Sequence, residues 1–428
     1  MIKIYNYDEI DKNSILTRMS PSAGVENIVA EIIENVRKNG DSALYEYCEK
    51  FDGVKLSSLE VSEDEISEAF REIESTDPDF LNILRRSEEN IRAFHEHQKR
   101  SGFTMTNGSA VLGQRVIPIE KAGIYVPGGT AAYPSTVLMD SVPAKIAGCS
   151  EIVMVTPPMK NGKVNPAILA AAKIAGVTRI FKLGGAQAIA ALAYGTESVP
   201  KVDKIVGPGN AFVAEAKKQV YGLVSIDMIA GPSEILVIAD KNSSPKNVAA
   251  DLLSQAEHDR LASAVLVTDS ADLANAVQAE LERQLPLLER EEIARASIEN
   301  NGKIIITKSI REATEAANSL APEHLELCVD APFDYLDMIK NAGSVFLGRY
   351  TPEALGDYMA GPNHTLPTGG TARFSSPLSV DDFTKKSQFI YYAAEEYEKI
   401  ARDVEAFAKK EGLTAHGRSA VVRLENEE

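Results

Sequence analysis

Residues 152–194 read IVMVTPPMKNGKVNPAILAAAKIAGVTRIFKLGGAQAIAALAY, and the fold class follows from their alternation. A β-rich run at 152–156 ends on Thr156-Pro157-Pro158. An Ala-rich run at 167–175 comes next, then a second β-rich run at 179–183, and Gly184-Gly185 opens another Ala-rich run at 186–194. Short strands alternating with helices of this length, each strand closed by a turn signal, predict βαβ units and a parallel sheet. The pattern continues to a strand at 204–206, ended by Gly207-Pro208-Gly209. It then restarts with strand 234–239, helix 246–256, strand 263–268 and helix 271–284, followed by strands at 303–307, 325–329 and 344–347. Two consecutive α/β units of similar size are expected. No identity at a fixed period ties them by duplication.

The flanks have a different texture. Val25, Ile28, Val29, Ile32 and Val36 form one stripe of a helix at 25–38, with Gly40 as its stop. Phe80, Leu81, Leu84, Ile91 and Phe94 form another stripe at 77–99, and Asp52-Gly53 marks a turn between the two helices. Beyond Arg373 the chain becomes loop-rich, then helical between 391 and 410, and it ends in an acidic tail. The expected division is a helical arm (1–112) packing on the second α/β unit, a first α/β unit (113–233), a second (234–372) and a C-terminal helical tail (373–428).

Composition narrows the function. A chain of 428 residues is long enough to bury its own cores, and 44% hydrophobic with 25% charged residues is ordinary for a soluble globular protein. The formal charge of −17 repels phosphate backbones and argues against a nucleic-acid partner, while leaving room for a local site for one small anion. Three cysteines lie far apart without a CxxC pair, which fits a reducing compartment. The N-terminus MIKIYNYDEIDK does not read as a secretory signal, and the apolar stretch at 186–194 is too short to span a bilayer. These features predict a cytoplasmic protein that does not enter membranes.

Glycine turns come first among the candidate functional elements. Gly207-Pro208-Gly209-Asn210 runs from a strand into a helix that Asn210 is placed to cap, a usable phosphate or dinucleotide site that also reads as a plain βα turn. Leu183-Gly184-Gly185-Ala186-Gln187 and Ile124-Tyr125-Val126-Pro127-Gly128-Gly129 are two more such turns. Together they suggest one crevice at the carboxyl edge of a sheet. Of the six histidines, His95 and His97 are two apart in a charged helix and read as solvated, and His364 lies in a loop that borders a site at most. His258 follows Gln255 by three, so both share a helix face and suit a divalent metal, or else helix-end capping. Asp357 and His416 are acceptable further ligands, although spacing alone does not bring them together. Glu323-His324, set up by Pro322 before an apolar strand, places a carboxylate and an imidazole at a sheet rim, suited to two proton transfers or to a cap and a surface residue. Cys149 follows an apolar helical run without a cationic neighbour and reads as inert, as do Cys48 and Cys328.

With these residues in view, the chain resembles the histidinol dehydrogenase family. The carrying stretches are GIYVPGG (123–129), LGGAQAIAALAYG (183–195), VDKIVGPGNAFV (202–213), AGPSE (230–234), DLLSQAEH (251–258), APEHL (321–325), GPNHTLPT (361–368) and EGLTAH (411–416). The resemblance implies two incomplete Rossmann-type units of the aldehyde-dehydrogenase-like kind, the first binding NAD and the second carrying the metal and catalytic residues. It implies one Zn²⁺ per subunit held by Gln255, His258, Asp357 and His416, the last from the other subunit of a homodimer with shared active sites and exchanged tails. It implies Glu323 and His324 as proton-transfer residues and Tyr125, Gln187 and Asn210 as NAD contacts. Ser233 and Glu411 then contact the substrate, with Gln255, His258, His324, Asp357 and His416. Departures from the family pattern are Ile229 before Ala-Gly-Pro-Ser-Glu and Arg260 after His258-Asp259, and neither supplies a side chain to the chemistry.

The activity so implied is four-electron oxidation of L-histidinol to L-histidine through bound histidinal, ending histidine biosynthesis. A related zinc and NAD dehydrogenase acting on another small alcohol, such as a sulfonated diol, is the alternative. The Glu411 carboxylate favours a cationic amine over a sulfonate. A cysteine-dependent aldehyde dehydrogenase and a non-catalytic nucleotide- or metal-binding protein are more distant readings.

Overall fold

The computed structural model describes residues 1–16, 18, 24–128 and 132–425, so Gly129 of the third glycine turn and the last residues of the acidic tail lie outside the described residues. Two compact units result. One comprises Met1–Gln98 and Ile119–Phe383, the other Lys99–Pro118 and Thr384–Glu428.

The larger unit holds two parallel sheets. The first has the strand order Arg179–Lys182, Glu151–Thr156, Lys121–Tyr125, Lys204–Val206, Ser225–Ile226. The second runs Lys3–Asn6, Lys303–Ile306, Ser263–Thr268, Glu234–Ala239, His324–Cys328, Ser344–Leu347. The strands and helices expected between 152 and 347 form close to their expected limits. Central strands such as Glu234–Ala239 are buried on both faces. Ile235 and Val237 meet one apolar cluster while Leu236 and Ile238 meet another, which is why the sequence shows continuous apolar runs instead of alternation.

Expectations for the arm need correction on three points. The helical arm packs on the first sheet, not the second. Val29, Ile32 and Val36 join Val153, Val155 and Phe181, and Leu81, Leu84 and Ile91 join Ala122, Ile124 and Ile152. The start of the arm does meet the second sheet: Lys3–Asn6 pairs with Lys303–Ile306, and Ile2, Tyr7, Ile15 and Leu16 join its apolar clusters. An apolar stripe announces that a helix has a partner without saying which one. Gly40 does not stop the first helix, which continues as Glu26–Tyr47 through a kink where Gly40 adopts φ +52°. His95 is fully buried, with Nδ1 2.9 Å from the Ile91 carbonyl oxygen, and burial pushes its pKa down. His97 is exposed, as expected.

The smaller unit is an antiparallel sheet in the order Thr384–Tyr391, Ala110–Pro118, Phe103–Asn107, with helices Ala394–Lys410 and Thr414–Val421. Tyr397 donates its hydroxyl to the Ala420 carbonyl at 2.8 Å. The expected boundary at 112/113 therefore falls inside a strand, and the tail is not purely helical. Strand 384–391 reads TKKSQFIY and is largely exposed, so it carries no alternating apolar face for sequence reading to detect.

Helix Pro134–Ala147 buries Asp140 completely. Its Oδ1 accepts from Thr365 Oγ1 at 2.8 Å and its Oδ2 has no partner among the described residues. Burial pushes its pKa up to about 8 from 3.8. The folded chain thus keeps a proton that the unfolded chain sheds, and this contribution to stability, fully present below about pH 4, is lost as pH rises towards 8. Unfolding free energy of the native chain relative to Asp140→Asn should fall by about 1.4 kcal/mol per pH unit between roughly pH 5 and 7. Denaturant titrations at several pH values measure this, and a pH-independent difference would show that Asp140 folds ionised.

Candidate active site

The carboxyl ends of the first sheet surround a cavity of about 900 Å³. Tyr125 ends its strand, and its hydroxyl oxygen accepts from the Gly185 amide at 3.1 Å. Gln187 lies in the first turn of helix Gly185–Tyr194. Asn210 caps helix Ala211–Val220, its Oδ1 accepting from the Phe212 and Val213 amides at 3.1 and 3.2 Å. All three line the cavity. The turn between the last two features requires glycine: Gly207 has φ +117°, and a Cβ there would sit 2.1 Å from the Tyr125 carbonyl oxygen. Buried Lys217 donates to the Gly207 carbonyl at 3.0 Å and pairs with Asp227, which accepts from the Gly207 amide at 2.8 Å.

The amino ends of the second sheet supply different chemistry. His324 opens its strand beside Glu234, and its Nδ1 lies 3.0 Å from the Glu234 carbonyl oxygen. That contact fixes the tautomer, with the proton on Nδ1 and a lone pair on Nε2. Glu323 is buried, with Oε2 accepting from the Glu234 amide at 2.9 Å and lying 3.7 Å from His324 Nδ1. Burial pushes its carboxyl up to about 8, against the pull of His324 and the Glu234 amide, so near neutrality it is poised to hold or release a proton. The Glu234 carboxylate is engaged elsewhere, in a two-pronged ion pair with Arg18. Half-buried Ser233 immediately precedes it on the same rim.

A cluster of donors faces His324 Nε2. His258, Glu353 and Asp357 each offer a ligand atom, all within 4.8 Å of one another. Glu353 and Asp357 are four apart on helix Glu353–Tyr358 and share its face. Gln255 ends helix Pro245–Ala256, and the His258 amide bonds to its carbonyl oxygen at 3.2 Å. With Glu353 ionised, the Gln255 amide is best satisfied with its nitrogen towards the carboxylate, donating to both oxygens at 2.6 and 2.9 Å and leaving an oxygen as its other polar atom. Glu353 is also 3.8 Å from His324 Nε2 and accepts from Ser254 Oγ at 3.1 Å. Burial, reinforced by Asp357, holds the Glu353 carboxyl well above its usual range. Burial pushes the His258 pKa down while Asp357 pulls it up. An imidazole, two carboxylates repelling each other and an amide oxygen together fit a divalent cation of the zinc type.

Sequence reasoning missed one member of this group, Glu353, and gave His364 only as a residue that could border a site. Glu353 precedes Asp357 by one helical turn, a spacing that was available as a signal. His364 lies with Nδ1 3.8 Å from Asp357 and Nε2 3.4 Å from Thr136, so it borders the donor cluster. Glu411 and His416 belong to the smaller unit, where both are exposed. The three cysteines are buried and unpaired, and burial pushes Cys149 up to about 11, which removes a thiolate nucleophile.

Known proteins resemble this chain over nearly its whole length. The family model described as histidinol dehydrogenase matches residues 17–424. A histidinol dehydrogenase of Clostridium acetobutylicum is 54% identical over 430 residues, covering 99% of each chain. One of Bacillus cereus is 56% identical over 405 residues, covering 94% of each. The crystal structure of histidinol dehydrogenase from Elizabethkingia anophelis superposes with a TM-score of 0.92 at 40% identity, covering 99% of this chain and 98% of that one. The chain belongs to the histidinol dehydrogenase family and is an oxidoreductase.

Proposed function

We propose that the protein oxidises L-histidinol to L-histidine in two successive two-electron steps, with one Zn²⁺ per subunit and NAD, at the end of histidine biosynthesis. The observation that supports this reading is the grouping of His258, Glu353 and Asp357, with Gln255 against Glu353, Glu353 3.8 Å from His324 Nε2 and Glu323 3.7 Å from His324 Nδ1. Gln255, His258 and Asp357, with His416 of a second subunit, would hold the metal, and Tyr125, Gln187 and Asn210 would hold the dinucleotide. When bound, zinc supplies Lewis acidity towards the substrate's nitrogens and NAD supplies the hydride acceptor.

The chain's own groups move the protons. His324 Nε2, its lone pair fixed by the Nδ1 contact to Glu234, takes the proton of the substrate hydroxyl in the first oxidation. Bound histidinal results. Glu323 then takes a proton from the water that adds to the aldehyde carbon, and His324 accepts the gem-diol proton in the second oxidation. Ser233 at the rim and Glu411 would orient the substrate, the latter as a counter-ion to its amine.

A homodimer with shared sites belongs to the same proposal. Phe103, Met105, Ile390 and Phe407 of the smaller unit are more than half exposed, an apolar surface that a partner subunit would cover. A cytoplasmic location is supported by the unpaired cysteines, and no described helix is long and apolar enough to cross a membrane.

Incubating the protein with L-histidinol and NAD⁺ and identifying the product by mass spectrometry tests the reaction. Histidine is expected, and a product that stops at the aldehyde would contradict two coupled oxidations. Glu353→Gln should weaken zinc about 10- to 100-fold in a chelator competition, because the carboxylate that orients Gln255 is lost. Unchanged zinc affinity would mean that Gln255 is oriented without it.

A further inference from the structure

Where a dinucleotide fold normally places the acidic residue that meets the adenosine ribose, at the end of the second strand, this chain has Pro157-Pro158-Met159-Lys160. No carboxylate follows that strand. The cavity nevertheless has one, brought by the helical arm. Asp52 ends the short turn Cys48–Asp52 that follows helix Glu26–Tyr47, and Gly53 then reverses the chain at φ +69°. Asp52 lines the same cavity as Tyr125, Gln187 and Asn210.

Asp52 is poorly served by its own protein. Its Oδ2 is buried with no hydrogen-bond partner among the described residues. The nearby Lys160 ammonium donates 2.8 Å to the Asp52 backbone carbonyl and so anchors the turn; its charge partly offsets burial at the carboxyl, and Oδ2 is left without a hydrogen bond. Burial raises the carboxyl to about 6. Ile28, Ile32, Phe51 and Ile168 supply apolar wall to the same cavity, and Lys160 is the cation in its lining. An acceptor in an apolar setting calls for a neutral ligand that brings its own donors next to a flat apolar group. A ribose diol beside a purine has that chemistry, and a 2′-phosphate, carrying like charge and no donor at that position, does not.

We infer that Asp52 binds the adenosine ribose diol of the dinucleotide and sets the preference for NAD over NADP. This inference rests on the reading of the cavity as the dinucleotide site. Lys160, holding the Asp52 carbonyl, is a positioning residue for the same contact.

Isothermal titration of the full-length protein with NAD⁺, and separately with NADP⁺, tests it in the native chain, Asp52→Asn and Asp52→Glu. The native chain should bind NAD⁺ and discriminate against NADP⁺. Asp52→Asn should bind NAD⁺ about 10- to 100-fold more weakly and lose most of the discrimination, since a charge-assisted hydrogen bond and a repulsion disappear together. Asp52→Glu should weaken NAD⁺ while still rejecting NADP⁺, which separates the charge from the fold. Variants that bind both dinucleotides as the native chain does, or that lose both equally, would overturn the assignment of Asp52. A native chain that binds neither would overturn the reading of the cavity itself.

Discussion

Glu323→Gln will lose about 10²- to 10⁴-fold in the oxidation of histidinal while keeping most of its rate on histidinol. The two oxidations place different demands on the rim. The first needs a base for one hydroxyl proton, and His324, with Nδ1 against the Glu234 carbonyl, presents Nε2 for it. The second also needs water delivered to a carbonyl carbon, and Glu323 is the buried carboxyl beside His324 whose oxygen is held by the Glu234 amide. Glutamine preserves volume and an oxygen for that amide but removes the base. Because the Glu323 carboxyl stands near 8, the aldehyde step of the native enzyme should rise about tenfold per pH unit below 8 and level off above it. Stopped-flow measurements with histidinol and histidinal supplied separately resolve the two steps. Equal loss in both would assign Glu323 to the shared base instead of the water.

His258→Ala is expected to abolish both oxidations together and to leave the protein without tightly held zinc. Its imidazole is the nitrogen donor of the described cluster, closed on the other sides by Glu353 and Asp357. Without it, mainly carboxylate and amide oxygens remain, a set that suits harder cations than zinc. Metal analysis after dialysis should find far less than one zinc per subunit, and NAD⁺ affinity should remain near native because the cavity proposed for the dinucleotide is built from other strands. Retained zinc with lost activity would give His258 a purely catalytic role and remove it from the ligand set.

The legible parts of the molecule and the hidden ones differ for physical reasons. Strands buried on both faces announce themselves, as Glu234–Ala239 and Ser263–Thr268 do, because their inner positions are an unbroken apolar run. Asn210 was readable as a helix cap and Glu323-His324 as a rim pair from their neighbours alone. The strand Thr384–Tyr391 was not, since a mostly exposed strand has no apolar rhythm. The side of the molecule on which the arm packs was equally hidden: Val29 and Leu81 needed an apolar partner, and either sheet would have served the pattern. His95 misled because its neighbours are charged while its own side chain points inward. His364 and Glu353 entered the site through tertiary approach to Asp357, which spacing along the chain does not record.

The central claim is a zinc-dependent, four-electron oxidation, and the stoichiometry of NADH tests it most directly. L-histidinol is added in limiting amount with excess NAD⁺, and absorbance is followed for the native protein, after chelation and after Zn²⁺ is restored. The account predicts two NADH per histidinol, lost on chelation and recovered with zinc. One NADH per histidinol, or full turnover in the chelated protein, would contradict it.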